Sequence, residues 1–448
     1  MEIKRHIVEI DNDNPFSNDW LERKEFAKQL TNIIENNYKG EVVVGLSGQW
    51  GEGKTTFVKM WQKHMEQKNI ACIYFDAFEY DYLEDAFLSL AIEVYNYAEQ
   101  KNISTKEDYL NQSKNTYQLL QTMISKTPPI NLDASFNNKL NQEGESSYEI
   151  AEIIKQTIGI AFNNSFEQAL KHKKVFENFK KSLSQLAFEL SNQDTPLVII
   201  IDELDRCKPS YAIEVLEKIK HLFLVEGVVF VLSMHHEQLE EAIKKVYGQN
   251  IDAHTYLQKF IDYPTRLPKP EISSNMNRRK YFYNQLEFIG LPTTQTASMQ
   301  KAYDLFVTLS ILYDLSYRQL NKAMQNYKYL LSSLDSYSQE SYPTMFIMTF
   351  LSILKVKNGS LIDKIRNDNF TYEDFEISGL YIKGEMDINV EVLQDFIRYC
   401  FYNSDTFEDT QYGSREQDYF QNFSNLIDTK KNKVLRTLTQ RLESFGDY

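Results

Sequence analysis

Residues 42–57, VVVGLSGQWGEGKTTF, set three β-branched residues directly against a glycine-rich turn that closes on a lysine and two threonines. The apolar residues of EVVVGL do not alternate with polar ones, so the stretch reads as a strand buried on both faces. After Lys54 the composition of TTFVKMWQKHMEQKN is helical. Gly48 to Thr55 fits G-x-x-x-x-G-K-[ST] without a gap, in the strand–turn–helix context that the pattern requires. Glycines permit a backbone path whose N–H groups converge on phosphate oxygens, and the helix N-terminus adds partial positive charge at the same place. The expected phosphate cradle is therefore Gly48, Gln49, Trp50, Gly51, Glu52, Gly53, Lys54, Thr55 and Thr56. Lys54 would reach the β- and γ-phosphates, and Thr55 would place its hydroxyl on Mg²⁺.

Such a loop needs a metal-holding carboxylate at the end of a neighbouring strand. PLVIIIDE, Pro196 to Glu203, supplies Asp202 behind an apolar run, with Glu203 directly after it. Asp202 is the expected Mg²⁺ partner, and Glu203 the base that orients and activates the attacking water. IACIYFDA and GVVFVLSM read as two more buried strands, separated by helical segments. Strands alternating with helices predict a parallel sheet flanked by helices.

The rest of the chain is bounded by size, charge and patterning. A length of 448 residues exceeds one ordinary domain. Strand signals fade after YPTRLPKP, which sets an expected boundary at Pro270 between an α/β domain, 1–270, and an all-α C-terminal domain, 271–448. A long insertion, Asp81 to Thr195, has an Asn/Gln-rich middle at Asn111 to Glu149 that reads as loops and weak helices. Residues 17–38 repeat apolar side chains at helical spacing. MFIMTFLSIL, Met345 to Leu354, has ten residues where a membrane span needs about 20, so a buried helix is expected and no integral membrane segment. A formal charge of −14 does not indicate a nucleic-acid surface. Cys72, Cys207 and Cys400 stand far apart, in neither a metal pair nor a disulfide framework, and the N-terminus lacks an apolar signal core. Both features fit the cytoplasm.

GQWGEGKTT, FDAFEY, IIIDELDRCKPSYAIEVLEKIKHLF, GVVFVLSMHHEQLEEAIKKVYG and YLQKFIDYPTRLP resemble, in that order, the successive motifs of the KAP family of P-loop NTPases. LSYRQLNKAMQNY is a weaker helical echo. The resemblance implies the additional-strand, catalytic-glutamate type of P-loop fold, with Walker A at Gly48 to Thr55 and Walker B at Asp202 and Glu203. It further implies ATP with Mg²⁺, and no guanine-reading N-K-x-D follows. Many family members carry membrane spans within the NTPase domain, whereas the insertion here is polar. By resemblance this chain is similar to the soluble bacterial members, several linked to defence against phage or mobile DNA. Two positions depart from the family pattern: Phe78 stands where tryptophan is usual, and His235 where an aspartate is the candidate γ-phosphate sensor. Ser233 and His235 are the remaining candidates for that role.

Three arginines are candidates for the cation that balances transition-state charge. Arg206 follows the Walker B acids and would reach nucleotide, a neighbouring subunit, or Asp205 or Glu203 as an ion pair. Arg318 would act as a lid arginine from the helical region, and Arg266 would be given in trans. His235 and His236, adjacent at a helix start, point in different directions and make a poor metal pair without a partner elsewhere. These features lead to an expected ATP-driven switch that self-associates or engages a protein effector. A nucleotide-stabilised scaffold with negligible hydrolysis is the alternative. A nucleic-acid translocase would need a basic channel that the acidic balance counts against.

Overall fold

The computed structural model describes residues 9–37, 39–125, 147–191, 195–268, 275–293, 296–334, 342–367, 369–377, 388–401 and 432–444. Its centre is a five-stranded sheet of β1 (Val42–Ser47), β2 (Ala71–Asp76), β3 (Leu197–Asp202), β4 (Val228–Met234) and β5 (Tyr263–Arg266), in the order β2-β3-β4-β1-β5. Every pairing is parallel. The continuous apolar runs of the sequence follow from this arrangement, because alternate residues must satisfy opposite faces. On one face Val43, Ile73, Phe75, Ile199, Ile201, Phe230 and Leu232 pack with Phe87, Phe179 and Leu216. On the other, Val44, Leu46, Val198, Ile200 and Val231 pack with Phe57 and Trp61.

β4 lies between the phosphate-loop strand β1 and the acid-bearing strand β3, so an additional strand separates the two motifs. Asp76 and Asp202 pair side by side at the carboxyl edge of the sheet, the edge from which the glycine loop also leaves. In open parallel sheets ligands bind at that edge.

The fifth strand was not legible in the sequence. It is four residues long, carries Pro264 and sits at the sheet edge with mostly exposed side chains, where a missing N–H donor is tolerated. The expected helix over 17–38 begins only at Lys24, and residues 15–21 form turns that bring Trp20 and Leu21 against the C-terminal helical cluster.

Within the insertion the described residues of the polar middle, 111–125 and 147–149, are helix. Ala86–Gln100, Lys106–Ser125 and Ser147–Leu190 are helices, and the last reaches the sheet through Phe179, Leu183, Leu186 and Ala187. Residues 126–146 of the polar middle lie outside the described residues.

Beyond β5 the described residues form helices only, around a separate apolar cluster. Its centre is the helix Tyr342–Lys357, whose Met345, Phe346, Met348, Phe350, Leu351 and Leu354 are fully or almost fully buried. Among the described residues no helix is long and apolar enough to cross a membrane.

Candidate nucleotide site

The glycine loop leaves β1 at Ser47 and opens the helix Lys54–Gln67. Gly51 and Gly53 hold φ of 82° and 83°, in the left-handed region that side chains disfavour. No side chain caps the helix, so its first-turn N–H groups remain available to an anion. Lys54 folds back on the loop, donating to Gly48 O at 2.7 Å and to Gln49 O at 3.3 Å. Burial lowers its pKa, opposed by the nearby carboxylates of Asp205, Asp202 and Glu203. Glu52 closes the loop by accepting from Gln49 N at 2.8 Å.

Asp202 is fully buried at the end of β3. Its Oδ2 accepts from the Tyr74 hydroxyl at 3.1 Å, while Oδ1 is buried without a hydrogen-bond partner. Burial and the Asp202 charge push the Tyr74 phenol well up, so it stays a donor. Glu203, in left-handed backbone at φ 60°, accepts from the Thr55 hydroxyl at 2.9 Å and pairs with Arg206 Nε at 2.5 Å. Burial, then the Asp202 charge, raises its pKa; Arg206 and Thr55 oppose this.

Of the sequence candidates, Trp50, Gly51, Gly53, Lys54, Thr55, Thr56, Glu203, Arg206 and Arg318 line one cleft of about 420 Å³. Arg318 stands at the start of the helix Tyr317–Ser332, capped by reciprocal Ser316 and Gln319 hydrogen bonds, and its backbone N donates to Gly51 O at 3.4 Å. The helical region thus rests on the phosphate loop. Arg206 takes the ion-pair option with Glu203 rather than Asp205. Arg266, with His235, lines a different cavity against Ser47, Gly48 and Gln49. Ser233 is buried with its hydroxyl unpartnered, and the His235 ring lies 5.3 Å from the Trp50 ring. Phe78 is exposed.

Arg23 escaped sequence reasoning, and Asp205, weighed there only as an ion-pair partner of Arg206, has a different role. Asp205 accepts from Trp50 Nε1 at 2.6 Å and from His235 N at 2.9 Å, tying the phosphate loop to the end of β4. Arg23 is buried, donates to Glu52 O at 2.7 Å and reaches Pro268 O at 3.2 Å through Nε and Nη2. Burial lowers its pKa to about 10.

A glycine loop on β1, an acid pair on β3 and one strand between them define a P-loop NTPase of the additional-strand type. The profile of the KAP family P-loop domain matches residues 23–371, and the chain belongs to that family. Among solved structures it is similar to the ORC2 protein of Aeropyrum pernix. In its ADPNP–ADP complexes the identity is 13% with 94% of each chain covered and a TM-score of 0.36. In its ADP form the identity is 11%, the coverage again 94% of each, and the TM-score 0.37. No curated relative matches the chain.

Proposed function

We propose that the protein is an ATP-binding and ATP-hydrolysing switch, with the cleft between the phosphate loop and the helix Tyr317–Ser332 as its site. The carrying observation is the chain of contacts from Thr55 through Glu203 to Arg206, which joins the loop to its candidate base. The unpartnered Asp202 Oδ1 and the Thr55 hydroxyl are the groups that would hold Mg²⁺. When bound, that ion neutralises charge on the β- and γ-phosphates. Lys54 exchanges its bonds to the Gly48 and Gln49 carbonyls for phosphate oxygens, a stronger charge-assisted pairing. Thr55, turning toward ligand, gives up Glu203 Oε1. Arg206 keeps the other oxygen and holds the carboxylate in place to take a proton from water.

Arg318 is the cation offered within the chain, and Arg266, outside the cleft, is the one offered to a neighbour. The reading includes nucleotide-promoted self-association or capture of a protein effector, with the helical region after Pro270 as the moving part. A role in bacterial defence rests on the motif resemblance alone, and phage plating with and without Lys54→Ala tests it. For the switch, ATP binding and turnover are measured in wild type, Lys54→Ala and Glu203→Gln. Loss of binding in the first and bound but slowly hydrolysed ATP in the second are expected. Equal turnover in wild type and Glu203→Gln would overturn the hydrolytic reading in favour of the scaffold. Unchanged ATP affinity in Lys54→Ala would overturn the site.

A further inference from the structure

On the other side of the phosphate loop, two elements that follow β4 converge. The helix His236–Tyr247 presents His236 and Glu240 one turn apart on a single face, and the short helix Ala253–Leu257 brings His254 to the same point. Glu240 Oε1 lies 3.0 Å from His236 Nε2 and 3.0 Å from His254 Nδ1, and the two ring nitrogens are 3.4 Å apart. His254 thus supplies the partner that His236 lacked in the sequence; His235 immediately precedes the helix and is not part of the group.

We propose that His236, Glu240 and His254 bind a divalent transition metal of the zinc class. The distances carry the argument. A tetrahedral ion with bonds of about 2.0–2.1 Å separates its ligand atoms by roughly 3.3 Å. The three measured edges of 3.0, 3.0 and 3.4 Å form a triangle of that size. Two imidazoles and one carboxylate are a donor set suited to Zn²⁺, whereas Mg²⁺ prefers oxygen and water. His236 and His254 also line the cavity of about 350 Å³ shared with Ser47, Gln49 and Arg266. Three protein ligands would leave one coordination position for water or a small anion. The ion would fasten the β4–β5 connection, which leads directly into the strand carrying Arg266.

The test uses the full chain, stripped with chelator and titrated with ZnCl₂ against a chromophoric competitor, with thermal melting in parallel. One equivalent should bind wild type and raise its Tm. His254→Ala, at a side chain 64% exposed and so of small folding cost, and Glu240→Gln should weaken binding at least ~10-fold and abolish the Tm rise. Asp202→Asn and Lys54→Ala should bind zinc as wild type does, which separates this site from the nucleotide cleft. Failure of wild type to bind zinc would leave the three groups as a hydrogen-bonded cluster and overturn the proposal. So would wild-type affinity in both His254→Ala and Glu240→Gln.

Discussion

Gly51→Ala tests whether the helical region senses the phosphate loop through direct contact. A Cβ at Gly51 would lie 2.7 Å from Ser316 Oγ and 2.8 Å from Arg318 Cβ. The serine hydroxyl could rotate, but it caps the helix, and losing that cap costs about 1 kcal/mol. Arg318 Cβ is fixed to the helix backbone, so overlap there costs about 1–3 kcal/mol. The left-handed backbone at φ 82° adds about 1–2 kcal/mol for any residue with a Cβ. The backbone strain persists wherever the helix sits, so about 2–4 kcal/mol of cap loss and overlap is what moving the helix away relieves. The backbone bond from Arg318 N to Gly51 O, at 3.4 Å, returns only about 1 kcal/mol, so the helix lifts before the loop deforms. Lifting removes Arg318 from the cleft, and a charged hydrogen bond of about 1.5–3 kcal/mol corresponds to roughly 10- to 100-fold weaker ATP binding. Titration with a fluorescent ATP analogue, with hydrogen exchange read over residues 317–332, measures both effects. Gly248→Ala is the control, since it has φ 98° and nothing within 4 Å of an added Cβ; it should lower stability and leave affinity unchanged. ATP affinity within twofold of wild type in Gly51→Ala, with unaltered exchange protection of the helix, would refute the contact argument.

Glu203→Gln should slow hydrolysis about 100-fold or more with ATP still bound, because positioned base catalysis is worth roughly 10²–10⁴; Asp202→Asn should instead raise the Mg²⁺ concentration needed for binding. Arg206→Ala should lower kcat while KM holds, since the ion pair orients Glu203 rather than the substrate, and a raised KM alone would contradict this. Glu189 gives a pH-dependent expectation. Partial burial raises its pKa, but bonds from Ser104 and Thr105 outweigh that and hold it at about 2, below the ordinary 4.5. A depressed carboxylate stabilises the fold above its unfolded pKa and loses that as pH falls through its folded one. The urea-midpoint gap between wild type and Glu189→Gln should therefore narrow from about pH 4.5 to about pH 2, and a constant gap would refute it.

What the sequence made legible was local. Val42 to Ser47, Ala71 to Asp76, Leu197 to Asp202 and Val228 to Met234 each announce themselves because burial on both faces demands an unbroken apolar run. The loop motif is legible because phosphate binding fixes glycines at set spacings. What stayed hidden depends on distant chain. Arg23 looks like any surface arginine until the carbonyls of Glu52 and Pro268, 29 and 245 residues away, surround it. His236 looks unpartnered until the turn after Tyr247 returns His254 to it. β5 is short and carries a proline, so only its pairing with β1 makes it a strand.

Asp205 shows how the site links segments that the sequence keeps apart. One carboxylate oxygen takes the Trp50 indole N–H and the other takes the His235 backbone N–H. The phosphate loop, the turn after β3 and the end of β4 are thereby held by a single side chain. The Trp50 and His235 rings add a second contact between the first and last of these. At the position where the motif resemblance implies an aspartate, His235 contributes a backbone donor and an aromatic face. Trp50 is 46% exposed and lines the cleft, so Asp205 joins a cleft residue to the end of β4. From His235 the chain continues directly into the helix that carries His236 and Glu240. Asp205 thus joins the phosphate loop to the start of the β4–β5 connection by direct hydrogen bonds, while the described residues of that helix lie outside the cleft.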